Sequence, residues 1–248
     1  MVHEESQIIL SEVAAVSDPH PLDNPIWNAL GAEHASFALK IGGARRYPQA
    51  IGPLSGMVDT SPASYEDLRS LAGHGGTIAL FLEEPAVPPA GWTMVRDGLM
   101  VQMILPAAGD KVFETSSSGS DIRQLTSADV PAMVDLAHLT QPGPFQKRTS
   151  ELGLFLGAFE GTRLIAMAGQ RMHFPDYIEV SAVCTHPDAR GRGLARILIS
   201  KIVQDILDRG KTPILHAFAN NYSAIRVYES LGFVLRRNLH LAFLKNEL

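Results

Sequence analysis

An extended, β-branched run (Ile178, Val180, Val183, Thr185) stops at Pro187 and gives way to the turn Arg190-Gly191-Arg192-Gly193. Leu194, Leu198, Ile202 and Ile206 then recur at helical spacing. A strand, a bare-backbone turn and a helix start thus follow one another, and no other stretch constrains the chain as strongly. The first four N–H groups of a helix have no intrahelical partner and its dipole is positive at that end, so such a turn suits an anion. Gly191 and Gly193 let backbone approach a phosphate without an intervening Cβ. Arg190 and Arg192 add formal positive charge. The spacing excludes two common phosphate binders. There is no G-x-G-x-x-G with a following acidic residue and no G-x-x-x-x-G-K-[ST].

Charge is distributed in a way that agrees with this reading. Residues 1–115 carry 6 Lys and Arg against 14 Asp and Glu, a balance of −8, whereas residues 116–248 carry 15 against 12, a balance of +3. The positive half is the half with the glycine turn. Its charge is too small, and its basic residues too scattered, for a nucleic-acid surface; a polyanionic small molecule fits better. With 46% hydrophobic and 19% charged residues the chain reads as globular. No apolar run is long enough to span a membrane, and the acidic start Met1-Val2-His3-Glu4-Glu5 does not resemble a secretory leader. Cys184 is the single cysteine, which excludes an internal disulfide and a cysteine-based zinc site. A cytoplasmic protein without a metal is expected.

Thr115-Ser116-Ser117-Ser118-Gly119-Ser120 reads as a connector, so two domains are expected, residues 1–115 and 121–248. In the first, Asp23-Asn24-Pro25 signals a helix start, with Ile26, Leu30 and Phe37 on one face. A second helix opens at Ser64 and ends near Gly73. Thr77–Leu82 and Leu99–Leu105 read as strands. The glycine clusters at 42–43 and 73–76 read as turns. This half is a mixed α/β unit. The second half predicts a strand at 122–125 and a helix from 127 to about 139. A hairpin (154–159 with 164–172) and a strand at 177–185 follow. Next come a long helix at 194–207, a strand at 213–219, a short helix at 224–231 and two final strands, 233–235 and 239–243.

Two segments of this half resemble the GNAT-type N-acetyltransferases. Arg190-x-x-Gly193-x-Ala195 is similar to their R/Q-x-x-G-x-G/A pyrophosphate loop, and Asn221, Ala224, Tyr228, Gly232 and Phe233 match an N-x-x-A-x-x-x-Y-x-x-x-G-F signature. The resemblance covers about residues 121–248. It implies an α/β (α+β) fold with a mixed central sheet and flanking helices, acetyl-CoA as co-substrate, and direct attack of a primary amine on the thioester in a ternary complex. The size of residues 1–115 allows a degenerate copy of the same fold. The resemblance further implies cofactor contacts along the turn at Arg190, Gly191, Arg192, Gly193, Leu194 and Ala195. Backbone contacts to the pantetheine arm would come from Val183 and Thr185, with Asn221 and Tyr228 as further contacts. Tyr228 would meet the departing thiolate. A free phenol titrates about 1.5 units above a thiol, so full proton transfer costs about 2 kcal/mol and a hydrogen bond to the thiolate is the easier role.

The general base is read from position alone. Period-two counting puts Glu179 on the face of Val183 and Thr185, where burial would raise its pKa; a salt-bridged carboxylate is the other reading. His216, among Ile214, Leu215, Ala217 and Phe218, is either a base or relay or a hydrogen-bonded core residue. His173 and His186 are weaker candidates. Asn221 also suits a helix N-cap, and Cys184 reads as a buried thiol. Phe145, Lys147 and Arg148 lie in a loop that would border an acceptor. The acceptor is open: a small amine, or an amine of a peptide or protein. A CoA-binding module without turnover, transfer of a longer acyl group, and a homodimer all stay open.

Overall fold

The computed structural model describes residues 20–106 and 121–248. Asn24-Pro25 opens α1 (Pro25–Ala29), with proline where a missing N–H costs nothing. The helix stops at the C-cap Leu30, just before Gly31; Phe37, expected on its continuing face, sits in a separate 3-10 turn, Ala35–Phe37. β1 (Leu39–Ile41), β2 (Ala44–Arg46) and β3 (Ser55–Met57) form a small antiparallel sheet. Gly42 takes φ 44° in its first turn, a backbone state that favours glycine. α2 (Pro62–Ala72) is capped by Ser61, whose side chain accepts the Ser64 N–H. β4 (Thr77–Leu82) and β5 (Trp92–Ile104) complete the first stretch. From residue 121 on come β6 (Asp121–Gln124), α3 (Val130–Thr140), β7 (Phe155–Glu160), β8 (Arg163–His173) and β9 (Tyr177–Thr185). The last elements are α4 (Leu194–Asp208), β10 (Thr212–Phe218), α5 (Tyr222–Ser230) and β11 (Val234–Asn246).

The large sheet has eight strands in the order β4-β11-β5-β10-β9-β8-β7-β6. Only β9 and β10 run parallel. The long α4 between them is the crossover that a parallel pair requires. Two features depart from the sequence reading. The two final strands expected at 233–235 and 239–243 are one strand, β11, with an irregularity between Leu235 and Arg237. The place beside β10 is taken by β5, which pairs antiparallel with both β10 and β11. Residues 115–120, where the sequence suggests a domain boundary, lie outside the described residues. The segments before and after them share this sheet.

Each face of the sheet carries its own core. α4 buries Leu194, Leu198, Ile199, Ile202, Val203 and Ile206 on one side. It packs them on Ile165, Ala166, Ala168, Ile178, Val180 and Leu215. The small Ala166 and Ala168 let the helix lie close, and each large aliphatic chain buried there contributes about 1.5–3 kcal/mol. On the opposite face, α3 covers the β7–β9 region with Met133, Leu136 and Ala137. The segment from Leu22 to Leu54 covers the centre, packing on Phe81, Met100, Ile214, Leu239 and Leu241. Residues of the first stretch therefore sit directly over β10 and its neighbours, next to the point where β9 and β10 part.

Candidate active site

The parallel pairing of β9 with β10 runs from Tyr177/Thr212 to Val180/Leu215 and ends there. Beyond that point the strands separate, immediately before His216. The cause lies partly in β9. On its other edge, Met167 faces Cys184 while Gly169 faces Ser181, so β9 carries one residue more than β8 over this stretch. Ala182, at φ 52°, is part of that bulge. A bulge shifts the phase of a strand by one, and this overturns the period-two count. Glu179 does not share a face with Thr185. It points to the side of the sheet opposite α4, whereas Val180 and Val183 pack on the α4 side.

The glycine turn stands at the α4 end of this opening. Gly191 and Gly193 have φ 78° and 75°, and open space surrounds the position a Cβ would take at either. Gly193 is the residue before the first turn of α4 and supplies no side-chain cap. The N–H groups of Leu194 and the residues after it are left to solvent or to an anion. Arg190 lines the cleft, and so does Arg196 in the first turn of α4, which donates to Ser230 Oγ at 2.7 Å. Sequence reasoning missed Arg196, although its position three residues past the glycine turn was the available signal. Arg192 is turned away, paired with Glu160 at 3.0 Å.

Tyr228 lies on α5 against Phe233, their rings at 67° and 6.3 Å apart. Burial pushes its hydroxyl up to about 12, and no described residue hydrogen-bonds it. Asn221 caps α5 by accepting the Ala224 N–H at 3.3 Å and also lines the cleft. Cys184 is buried among Met167, Phe155 and the α3 residues; burial pushes its thiol up to about 11, far from a nucleophile's range.

Glu179 is fully buried. Burial alone would raise its pKa, but Arg171 outweighs it. That guanidinium donates Nε–H to Oε2 at 2.8 Å and Nη2–H to Oε1 at 2.6 Å. The carboxyl is held at about 2. The salt-bridged reading is therefore the observed one, and Glu179 has little basicity. His216 Nδ1 lies 2.7 Å from Glu179 Oε1. Its Nε2 lies 2.9 Å from the Gln102 amide nitrogen. Gln102 is oriented by its other partners: the nitrogen donates to the Leu22 carbonyl at 2.8 Å, and the oxygen accepts from Arg236 at 2.7 Å. His216 must then accept at Nε2 and donate from Nδ1 to Glu179. Both ring nitrogens are engaged, which makes it the hydrogen-bonded core residue. His173 stacks on His34 in the N-terminal core, and His186 meets Arg163 at the surface. Neither lines the cleft.

One continuous cleft of about 1220 Å³ joins these parts. It runs from the glycine turn and Tyr228 through the opening between β9 and β10 to the other face of the sheet. There it is lined by Leu54, Phe81, Arg96 and Met100 from the first stretch, and by His216, Phe218 and Phe243. The loop after α3 borders it, with Phe145 buried at its edge. Among the described residues, no group of His, Cys, Asp and Glu is arranged to hold a metal. No helix among them is long and apolar enough to cross a membrane.

The chain is similar to known proteins. The family model described as FR47-like protein matches residues 155–241. A mycothiol acetyltransferase from Thermomonospora curvata is 42% identical over 83 residues, which cover 33% of this chain and 27% of that protein. The chain thus spans only about a quarter of that relative's length. The [ribosomal protein bS18]-alanine N-acetyltransferase of Salmonella typhimurium is 29% identical over 47% of this chain and 84% of its own. The crystal structure of a GNAT-family protein from Novosphingobium aromaticivorans superposes with a TM-score of 0.84 at 40% identity, over 93% of this chain and 100% of that one. At that identity and coverage, the chain belongs to the GNAT family.

Proposed function

We propose that the chain is an N-acetyltransferase that moves the acetyl group of acetyl-CoA to an amine by direct attack in a ternary complex. One observation carries this reading: the opened β9–β10 pair, the glycine turn before α4 and Tyr228 all line a single cleft. Free N–H groups at the start of α4, with Arg190 and Arg196 beside them, suit the diphosphate. The edge of β9 from Val183 to Thr185, parted from β10, suits the amides of the pantetheine arm as an added strand would. The bulge at Ala182 takes backbone groups out of the β8–β9 ladder beside the expected thioester, where an N–H can stabilise the developing oxyanion. Tyr228, protonated at any ordinary pH, donates a hydrogen bond to the departing thiolate.

No carboxylate lines the cleft among the described residues. The amine's proton therefore does not pass to Glu179, which is shielded behind Arg171 and His216. With no carboxylate base on the described cleft wall, the acceptor's proton passes to water. The relatives named above as acetyltransferases of mycothiol and of ribosomal protein bS18 support acetyl transfer as the chemistry. The acceptor of this chain is a separate question.

The missing base favours one second reading, a CoA-binding module without turnover. A thermal-melt titration with acetyl-CoA, CoA, longer acyl-CoAs, ATP and NAD tests what both readings share. A ligand at 100 times its Kd stabilises the folded state by about 2.7 kcal/mol. A shift with acetyl-CoA and CoA but not with ATP or NAD is expected. No shift with any CoA species would overturn both readings. Thiol release in the presence of amines separates them.

A further inference from the structure

The cleft walls hold four arginines, Arg96, Arg171, Arg190 and Arg196, and no aspartate or glutamate among the described residues. Arg190 and Arg196 flank the start of α4 and are accounted for by a diphosphate. Arg96 and Arg171 stand on the other face of the sheet, where the acceptor must enter; Arg171 is spent largely on Glu179, and Arg96 has no role so far.

Arg96 lies over the Phe218 ring, its guanidinium carbon 4.6 Å from the ring centre. It has no carboxylate partner among the described residues. Asp97, its neighbour in β5, points to the opposite face of the strand. Arg171 spends Nε and Nη2 on Glu179. Its Nη1 has no partner among the described residues, and the side chain lines the cleft. An apolar wall adjoins both guanidinium groups. Phe81 packs against His216 at 5.1 Å and lies 5.7 Å from the Arg171 guanidinium carbon. Met100, Phe218 and Phe243 extend it.

Such a wall selects by charge. An amine arrives as a cation at neutral pH, and the Arg96 guanidinium repels it with no carboxylate on the described cleft wall to offset it, Arg171 being neutralised by Glu179. An acceptor that brings its own anion cancels that repulsion and gains charge-assisted hydrogen bonds. We infer that the acceptor is a small amino acid with an apolar or aromatic side chain. Its carboxylate is held by Arg96, and its side chain packs on Phe218, Met100 and Phe81. Polyamines and other bare amines are excluded by the same charge. Amide-capped amino groups, as at a peptide N-terminus, lack the anion. This inference rests on the acetyltransferase reading.

The test uses the full chain and two measurements. Thermal-melt titration with acetyl-CoA reports the cofactor side alone. Thiol release is then followed with L-phenylalanine, L-leucine and L-methionine, each beside its carboxamide, and with phenethylamine and spermidine. The free acids should exceed their carboxamides in kcat/KM by roughly ten- to a hundredfold, the usual weight of a hydrogen bond to a charged group. Arg96→Gln should raise KM for the acids and shrink that preference, Arg96→Lys should restore part of it, and the acetyl-CoA melt shift should persist in both. Arg96 is exposed, so neither change threatens the fold. Carboxamides or bare amines used as well as the acids would overturn the inference, as would an acid preference that survives Arg96→Gln. If acetyl-CoA shifts the melt and no carboxylate-bearing amine is turned over, the acceptor class is wrong and the cofactor reading stands. If acetyl-CoA does not bind, both fail together.

Discussion

Tyr228 keeps its proton more firmly than a free phenol does, because burial disfavours the phenolate. Held about 3.5 units above an ordinary thiol, it would lose about 5 kcal/mol in a complete transfer, so its part is a hydrogen bond. Tyr228→Phe should lower kcat roughly a hundredfold, the usual cost of one aimed donor, while calorimetry finds acetyl-CoA binding little changed. Glu179 belongs to stability instead. Glu179→Gln leaves the Arg171 guanidinium buried without its counter-charge and should cost about 3–5 kcal/mol, read from the urea midpoint. The pH–rate profile of the surviving folded enzyme should keep its shape; loss of a limb there would restore Glu179 as the base. His34 sets the acid limit. Burial, with His173 stacked against it at 4.9 Å, holds its pKa near 4 instead of 6.5. Between those values the unfolded chain binds a proton that the native ring refuses. Stability therefore falls as pH drops from about 6.5 to 4, by about 3 kcal/mol for His34 alone. Glu179, at about 2, continues the decline below pH 4.5. Urea midpoints across this range should slope accordingly, and His34→Gln should flatten the upper part.

Among the elements, the turn before α4 offers the cleanest perturbation. Gly193 has φ 75°, a state that asparagine and aspartate tolerate better than other side chains. Aspartate also suits the head of a helix. Gly193→Asp should thus fold normally and still put a carboxylate where the diphosphate binds. Acetyl-CoA affinity should fall roughly a hundredfold or more in a calorimetric titration, and unchanged affinity would remove the turn from the site. This turn and the α5 signature were legible because each is a local motif, complete within one stretch of sequence. The bulge in β9 was not. It is made by an alanine at φ 52° with no glycine to announce it, and it moved Glu179 to the other face. The partner that neutralises Glu179 was equally hidden, since Arg171 reaches it across a strand pair whose register the sequence does not display. His216 was found by its apolar neighbours, but its lack of a free nitrogen depends on Gln102, which arrives from a distant strand.

At the scale of the whole molecule, residues on both sides of the 107–120 segment build one sheet and one cleft. The strand signals at Thr77–Leu82 and near Leu99 were visible in sequence; their insertion beside β10 and β11 was not, because pairing between distant strands leaves no local trace. Residues 121–248 alone would leave the β10 and β11 edges that face β5 unpaired and strip the cover from Ile214, Leu239 and Leu241. That fragment should be aggregated or molten by circular dichroism and gel filtration. Co-expression with residues 1–115 should recover a soluble complex; a well-folded 121–248 fragment on its own would contradict the shared sheet. The position of β5 also bears on how the chain is made. A ribosome releases β5 well before either strand that will flank it, and β6 to β9 and α4 emerge in between. The central strand must wait without its neighbours, and the cleft comes into being only when β11 closes over it, so maturation should be slow, governed by the last-made strand and dependent on protection of β5 in the interval.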